Sequence, residues 1–243
     1  MVPHDLVADV QLLCLDAGNT VIFLDHGRLA DSLGARGFSA TAAQLVAAEG
    51  SAKHAQETGT MVDIEWPESA APGAHAWGQM LATMAHAVGV PHESLPELLG
   101  HLWREHMELN FWSLVPAGLK AAVARARQAD VPVAIVSNSE GQLDALFARV
   151  GLAGAFDLVV DSGVLGIAKP DPRIFAHTLE HFGVGPGQAL HLGDSIATDV
   201  DGGRAGGLRV ALVDPFGHSA GRATDVPRVE GVVAVVDAIL AAR

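Results

Sequence analysis

From Val115 onward the chain alternates β-rich runs with segments of helical periodicity, and this alternation constrains the fold more than any other feature. The runs are Val131–Val136, Phe156–Val160, Ala189–Leu192 and Leu208–Val213. Helices are predicted between and after them. One is opened by Pro116 and Gly118 and ends near Asp130, and one is marked by Leu143, Leu146, Phe147 and Val150; Pro172–Phe182, Ala197–Ala205 and Val232–Ala242 follow. Strands alternating with helices require right-handed crossovers and so build a parallel sheet. Another run, Val10–Leu15, stands far upstream and has to join the same sheet. What lies between reads as helix and connector. Arg28–Arg36 closed by Gly37, Thr41–Glu57 capped by Ser39 or Thr41, Ala74–Val88 and Glu93–Leu109 are predicted helices, with Met61–Pro72 a connector. The expected architecture is an α/β core of residues 1–24 and 113–243, with an all-helical unit, residues 25–112, inserted into it.

Charge and cysteine usage narrow the partners. The formal net charge is −13, from 15 Lys and Arg against 28 Asp and Glu. No basic run occurs, so the patch that nucleic-acid binding needs is missing. The single cysteine, Cys14, excludes an internal disulfide and reads as an inert buried thiol. No stretch approaches the roughly 18 uninterrupted apolar residues of a membrane span, and the N-terminus lacks a basic region followed by an apolar one. A soluble, cytoplasmic protein without nucleic-acid or membrane partners is expected, with its oligomeric state left open.

The chemistry collects at strand ends. Val10–Leu15 ends in Asp16, followed by the turn-prone residues Ala17, Gly18, Asn19 and Thr20. Val131–Val136 leads into Ser137 and Asn138, and Phe156–Val160 into Asp161 and Ser162. Ala189–Leu192 leads into Gly193, Asp194 and Ser195, with Asp199 five residues beyond Asp194, while Lys169 precedes Pro170 in a connection. In a parallel sheet these ends share one edge, where open α/β sheets bind ligands. Asp16, Ser137, Lys169, Asp194 and Asp199 can therefore converge. Asp16 and Asp194 can share a hard divalent cation such as Mg²⁺. Ser137 and neighbouring amides can bind a phosphate oxygen, and Lys169 adds a compact positive charge. That screening would let Asp16 attack phosphorus and form an acyl phosphate.

The segments LCLDAGNTV, AIVSNS, GIAKPDPRIF and LHLGDSIATDVDGGRAGGL, in this order, closely resemble the motifs of the haloacid dehalogenase superfamily. The resemblance implies a Rossmann-like core with a helical cap that closes over the substrate. It implies a Mg²⁺-dependent hydrolase, phosphatase-like and acting on a small phosphorylated metabolite. Asp16 would be the nucleophile, with Ser137, Asn138 and Lys169 on the phosphate. Asp16, Asp194 and the Gly18 carbonyl would hold the metal, supported by Asp199. One departure matters. Phosphatases of this superfamily usually carry a second Asp two residues after the nucleophile, as general acid and base, and here that position is Gly18.

Several readings follow from Gly18. A phosphatase could use a substrate with a good leaving group, or a replacement acid such as Asp25 or His26, although both also read as solvated residues at the start of the insert. Phosphonoacetaldehyde hydrolases carry a small residue at this position and need a cap lysine. Lys53 is the one lysine of the insert, but Glu49 and Glu57 flank it like an exposed helical charge ladder. Dehalogenases of the superfamily generally have Tyr there, and this chain contains no Tyr. A degenerate, non-catalytic member that binds a phosphorylated ligand is the remaining class. His75, His86, His101 and His106 do not have metal-site spacing, and His106 lies on an apolar stripe. Trp66, Trp77, Trp103 and Trp112 read mainly as packing of the insert, and His191 as a buried structural residue of its strand.

Overall fold

The computed structural model describes residues 2–71, 73–222 and 224–243. Pro72, at the end of the predicted connector, lies outside the described residues. In chain order the strands are β1 (Leu12–Leu15), β2 (Phe23–Leu24), β3 (Trp112–Leu114), β4 (Val133–Ser137), β5 (Leu158–Asp161), β6 (Ala189–Gly193), β7 (Arg209–Val213) and β8 (Arg228–Val229). Six of them form one sheet in the order β5-β4-β1-β6-β7-β8, and each neighbouring pair is parallel. The protein is thus α/β with a Rossmann-like parallel sheet. Its central strand is the N-terminal run: Leu12, Leu13, Cys14 and Leu15 are each 0% exposed. A parallel sheet is covered on both faces, so its strands read as unbroken apolar runs. One face of the sheet packs against Ile174, Phe175 and Leu179 of the helix Pro172–Phe182.

Contacts divide the chain into two compact units. The first comprises Met1–Phe23, Leu114–Pro215 and Gly221–Arg243; the second comprises Leu24–Ser113 together with Phe216–Ala220. The second unit contains helices α1 (His26–Gly34), α2 (Ala42–Thr58), α3 (Ala74–Ala87) and α4 (Leu95–Glu108). Thr41, one of the two expected caps, closes α2 reciprocally with Gln44. Trp66, Trp77 and Trp103 meet tilted or edge-on in the core of this unit at centroid distances of 5.0–5.8 Å, with His106 stacked on Trp103.

Several expectations need correction. The inserted stretch is not wholly helical, because Trp112 belongs to β3, which pairs with β2 in a separate two-stranded sheet. Two residues are too short for a periodic signal, so β2 and β8 escape a reading based on pattern. Leu109 is exposed, beyond the end of α4. Asp25, half-buried, caps α1 by accepting from Arg28 N, and His26 is not solvated but buried against Glu49 at 2.8 Å. Nor do Glu49 and Lys53 form an exposed ladder. Glu49 is 1% exposed and lies between His26 and Lys53, whose Nζ is 3.6 Å away. The hydrogen bond to His26, with Lys53 and His218 nearby, keeps its carboxyl below the ordinary range despite burial. No helix among the described residues is long and apolar enough to cross a membrane.

Candidate active site

Asp16 immediately follows β1, and its backbone N–H continues the pairing by donating to Leu192 O of β6 at 2.8 Å. The next four residues form a tight turn in which Asn19 N donates to Ile22 O and Ile22 N to Ala17 O, leaving the Gly18 carbonyl out of both bonds. Asn19 has φ 53°, a left-handed conformation that Asn tolerates better than most residues. From there its Nδ2 donates to Asp194 Oδ2 at 3.3 Å, and Asp194 directly follows β6.

Lys169 joins the site from a connection rather than a strand. Its backbone is held by the side-chain amide of Asn138: Lys169 N donates to Asn138 Oδ1 at 2.8 Å, and Asn138 Nδ2 donates to Lys169 O at 2.9 Å. Its ammonium, 4% exposed with the rest of the residue, donates to Asp16 Oδ1 and to Asp199 Oδ1, each at 2.6 Å. Asp199 comes from a turn of π-helix, Ile196–Asp201, and also accepts from Ser195 N at 3.0 Å and from His191 Nε2 at 2.9 Å. Gly193 is required there, since a Cβ would lie 2.1 Å from Asp199 Cγ.

These contacts set the charges. Burial pushes the Asp16 carboxyl up to about 7; Lys169 opposes that rise, while Asp199 and Asp194 add to it. For Asp199 burial also works upward, but Lys169 and His191 overcome it and hold the group well below the carboxylate range. The two carboxylates likewise outweigh the burial of Lys169 and keep its pKa above the ordinary lysine value. One ammonium therefore bridges Asp16 and Asp199, and Asp194 adds a third carboxylate to the cluster.

The same three residues each offer a carboxylate oxygen within 4.8 Å of the others. Both oxygens of Asp199 are occupied by Lys169, His191 and Ser195, which leaves Asp16 and Asp194 as the carboxylates suited to ligate a cation. A donor set of hard carboxylate oxygens fits a divalent cation such as Mg²⁺.

The structure thus brings Asp16, Lys169, Asp194 and Asp199 together, and places Ser137, 3% exposed, at the end of the adjacent strand β4. The side-chain amide of Asn138 is bonded to the Lys169 backbone. Asp161, paired in register with Ser137, has a different task. It accepts from Ser139 Oγ at 2.7 Å and from the backbone amides of Gly141, Leu143 and Gly163 at 2.9–3.2 Å, which fixes the loop after β4. Asn19 and His191 were not legible as site residues. The single sequence signal for Asn19 is a turn-prone residue directly after a strand-end carboxylate. A histidine inside an apolar strand gives none, since nothing local reveals which carboxylate it will meet.

Fold and site together define an α/β protein with an acidic, lysine-clamped cradle at the carboxyl edge of a parallel sheet. The chain belongs to the haloacid dehalogenase-like hydrolases, whose family model matches residues 10–207. It is 31% identical over 138 residues to haloacid dehalogenase-like hydrolase domain-containing protein 3 of Bos taurus, covering 56% of this chain and 55% of the relative. It is 37% identical over 132 residues to phosphoserine phosphatase of Thermus thermophilus, covering 54% and 51%. Phosphoglycolate phosphatase of Thiobacillus denitrificans is 34% identical over 102 residues, or 42% of this chain and 44% of that one. The chain spans about half the length of the curated relatives it matches. Among solved structures, the HAD-hydrolase YfnB of Bacillus subtilis, bound to magnesium, aligns with a TM-score of 0.68 at 18% identity, over 95% of this chain and 98% of that one. L-2-haloacid dehalogenase from Xanthobacter autotrophicus aligns at 0.58 and 18%, with the same coverage. At these identities the structural likeness speaks to the fold alone.

Proposed function

We propose that this hydrolase is a Mg²⁺-dependent phosphatase acting on a small phosphorylated metabolite through an aspartyl-phosphate intermediate at Asp16. The observation that carries the reading is the buried Lys169 ammonium, held at 2.6 Å from both Asp16 and Asp199, with an Asp194 carboxylate oxygen within 4.8 Å of theirs. Such a cluster suits an anionic substrate only when further positive charge is present. Asp16, Asp194 and the Gly18 carbonyl would hold Mg²⁺, which supplies charge that balances the phosphoryl oxygens. In the first half-reaction an Asp16 oxygen bonds to phosphorus as the bond to the leaving oxygen breaks and its electron pair departs with that oxygen. In the second, water attacks phosphorus, inorganic phosphate leaves and the Asp16 carboxylate is restored. Ser137 and the adjacent backbone amide of Asn138 would hold the phosphoryl oxygens, with Lys169 keeping Asp16 oriented. The phosphatases among the matched relatives support this substrate class.

Gly18 sets the expected selectivity. With no carboxyl two residues after Asp16, the leaving group departs without a positioned acid, a contribution of typically about 10²- to 10⁴-fold. Turnover should therefore fall steeply as the leaving group becomes more basic, with acyl and aryl phosphates ahead of sugar phosphates. A screen of those classes and phosphonoacetaldehyde, with and without Mg²⁺, tests the reading against an Asp16→Asn control. Turnover indistinguishable from that control on every compound would rule it out. In a second comparison, Gly18→Asp should raise turnover of an alkyl phosphate at least about tenfold while changing that of an aryl phosphate little. Mg²⁺ should also raise the Tm of the wild type by mass action and not that of Asp194→Asn, a readout that needs no turnover.

A further inference from the structure

His191 is 0% exposed and sits in β6 opposite Cys14 of β1, two residues before the nucleophile position. Its ring lies edge-on to Phe175 at 4.9 Å, and its Nε2 is 2.9 Å from Asp199 Oδ1. That oxygen is the one that accepts from the Lys169 ammonium. We propose that His191 is a positioning residue of this site: its Nε2–H shares Asp199 Oδ1 with Lys169, and this sharing sets how firmly Lys169 is kept on Asp16.

An ionised carboxylate can only accept, so the imidazole must present Nε2–H to Asp199. Burial keeps the ring below its ordinary pKa, which makes it a neutral donor rather than a second cation. Asp199 Oδ2 is taken by the Ser195 amide, and Gly193 lets the carboxylate lie directly against its Cα. Thr198 Oγ1 also approaches Oδ2, at 3.5 Å, so both carboxylate oxygens have donors. Lys169, in contrast, ends a flexible four-carbon stem, and only the balance between its two carboxylates places its ammonium. Removing the His191 donor leaves Asp199 with more unshared negative charge. The ammonium is then drawn toward Asp199 and away from Asp16.

The inference rests on the phosphatase reading for its kinetic consequence but not for its geometry, and the experiment separates the two. With p-nitrophenyl phosphate as probe, His191→Phe should lower kcat about tenfold with a smaller change in KM, the scale of effect expected when a group behind a site residue is lost. His191→Gln, whose amide N–H can reach the same oxygen, should recover most of that loss. The two variants should have similar Tm values, which distinguishes positioning from a packing defect. Independently of turnover, the ¹⁵N resonance of the Lys169 ammonium should shift in His191→Phe and return toward its wild-type position in His191→Gln. A wild type without phosphatase activity would defeat the functional reading and leave the resonance test intact. An unmoved Lys169 resonance, or a Gln variant no better than Phe at equal Tm, would overturn the proposal; if the Phe variant does not fold, wild-type kcat in the Gln variant is retained support, while a tenfold loss there overturns it.

Discussion

The ammonium of Lys169 lies between two buried carboxylates whose mutual repulsion it offsets, and substitution there should act on stability as well as turnover. Truncating one member of a buried ion pair typically costs about 3–5 kcal/mol, because the partner is left charged and desolvated. Lys169→Met should accordingly lower the unfolding free energy by an amount in that range, read as a lower urea midpoint, and millimolar Mg²⁺ should restore part of it by supplying charge to Asp16 and Asp194. A midpoint unchanged from wild type would mean that the carboxylates find another counter-charge. Gly193→Ala probes the same cluster from the other side. Its new Cβ would overlap Asp199 Cγ, so Asp199 must move and Lys169 with it. Loss of activity is expected in this variant even under conditions where it remains folded.

At the scale of elements, strands ending in chemistry were legible because each is a short apolar run followed at once by a polar residue, as in Leu15–Asp16 or Gly193–Asp194. A parallel arrangement then obliges those ends to share an edge. Contacts that depend on tertiary approach were not legible. Glu49 reads as one member of a surface ladder at four-residue spacing, yet it is buried because His26 and His218 are brought to it from distant parts of the chain. The segment Phe216–Ala220 belongs to the second unit though its neighbours on both sides belong to the first. Phe216 meets His26 edge-on at 5.9 Å and stacks beside His218 at 5.4 Å. Gly50, in the middle of α2, leaves room for His218: a Cβ there would be 2.8 Å from His218 Cδ2. Glycine within a helix ordinarily costs about 0.5–1 kcal/mol relative to alanine. Gly34→Ala in α1, where the added methyl meets nothing within 4 Å, should gain part of that. Gly50→Ala should instead lose stability and speed amide exchange across residues 216–220. Equal gains in Tm for both variants would show that the segment yields at no cost.

For the molecule as a whole, stability in acid should depend strongly on one neutral histidine. The imidazole of His106 is buried beside the tryptophan cluster, and its Nδ1 accepts from Trp77 Nε1 at 3.1 Å and from Phe111 N at 3.3 Å. Protonating Nδ1 would set a third N–H against those two donors. Burial, with the nearby positive charge of Arg28, brings the pKa down to about 4 from an ordinary 6.5. A folded pKa below the unfolded one means that the unfolded chain takes up the proton first as pH falls. The stabilisation is therefore complete above about pH 6.5, is lost progressively between 6.5 and 4, and does not change further below that. At 1.36 kcal/mol per pKa unit the total is about 3 kcal/mol, a large share of the stability of an ordinary domain. His106→Gln keeps a hydrogen-bond acceptor and cannot titrate. Its cost relative to the wild type should shrink by about 3 kcal/mol between pH 7 and pH 4, measured by urea unfolding with fluorescence from the Trp66, Trp77 and Trp103 cluster. The comparison removes every titration that the two proteins share, including the carboxylates behind the net charge of −13. A difference independent of pH would mean that His106 accepts a proton without unfolding, with Trp77 and Phe111 rearranging to permit it.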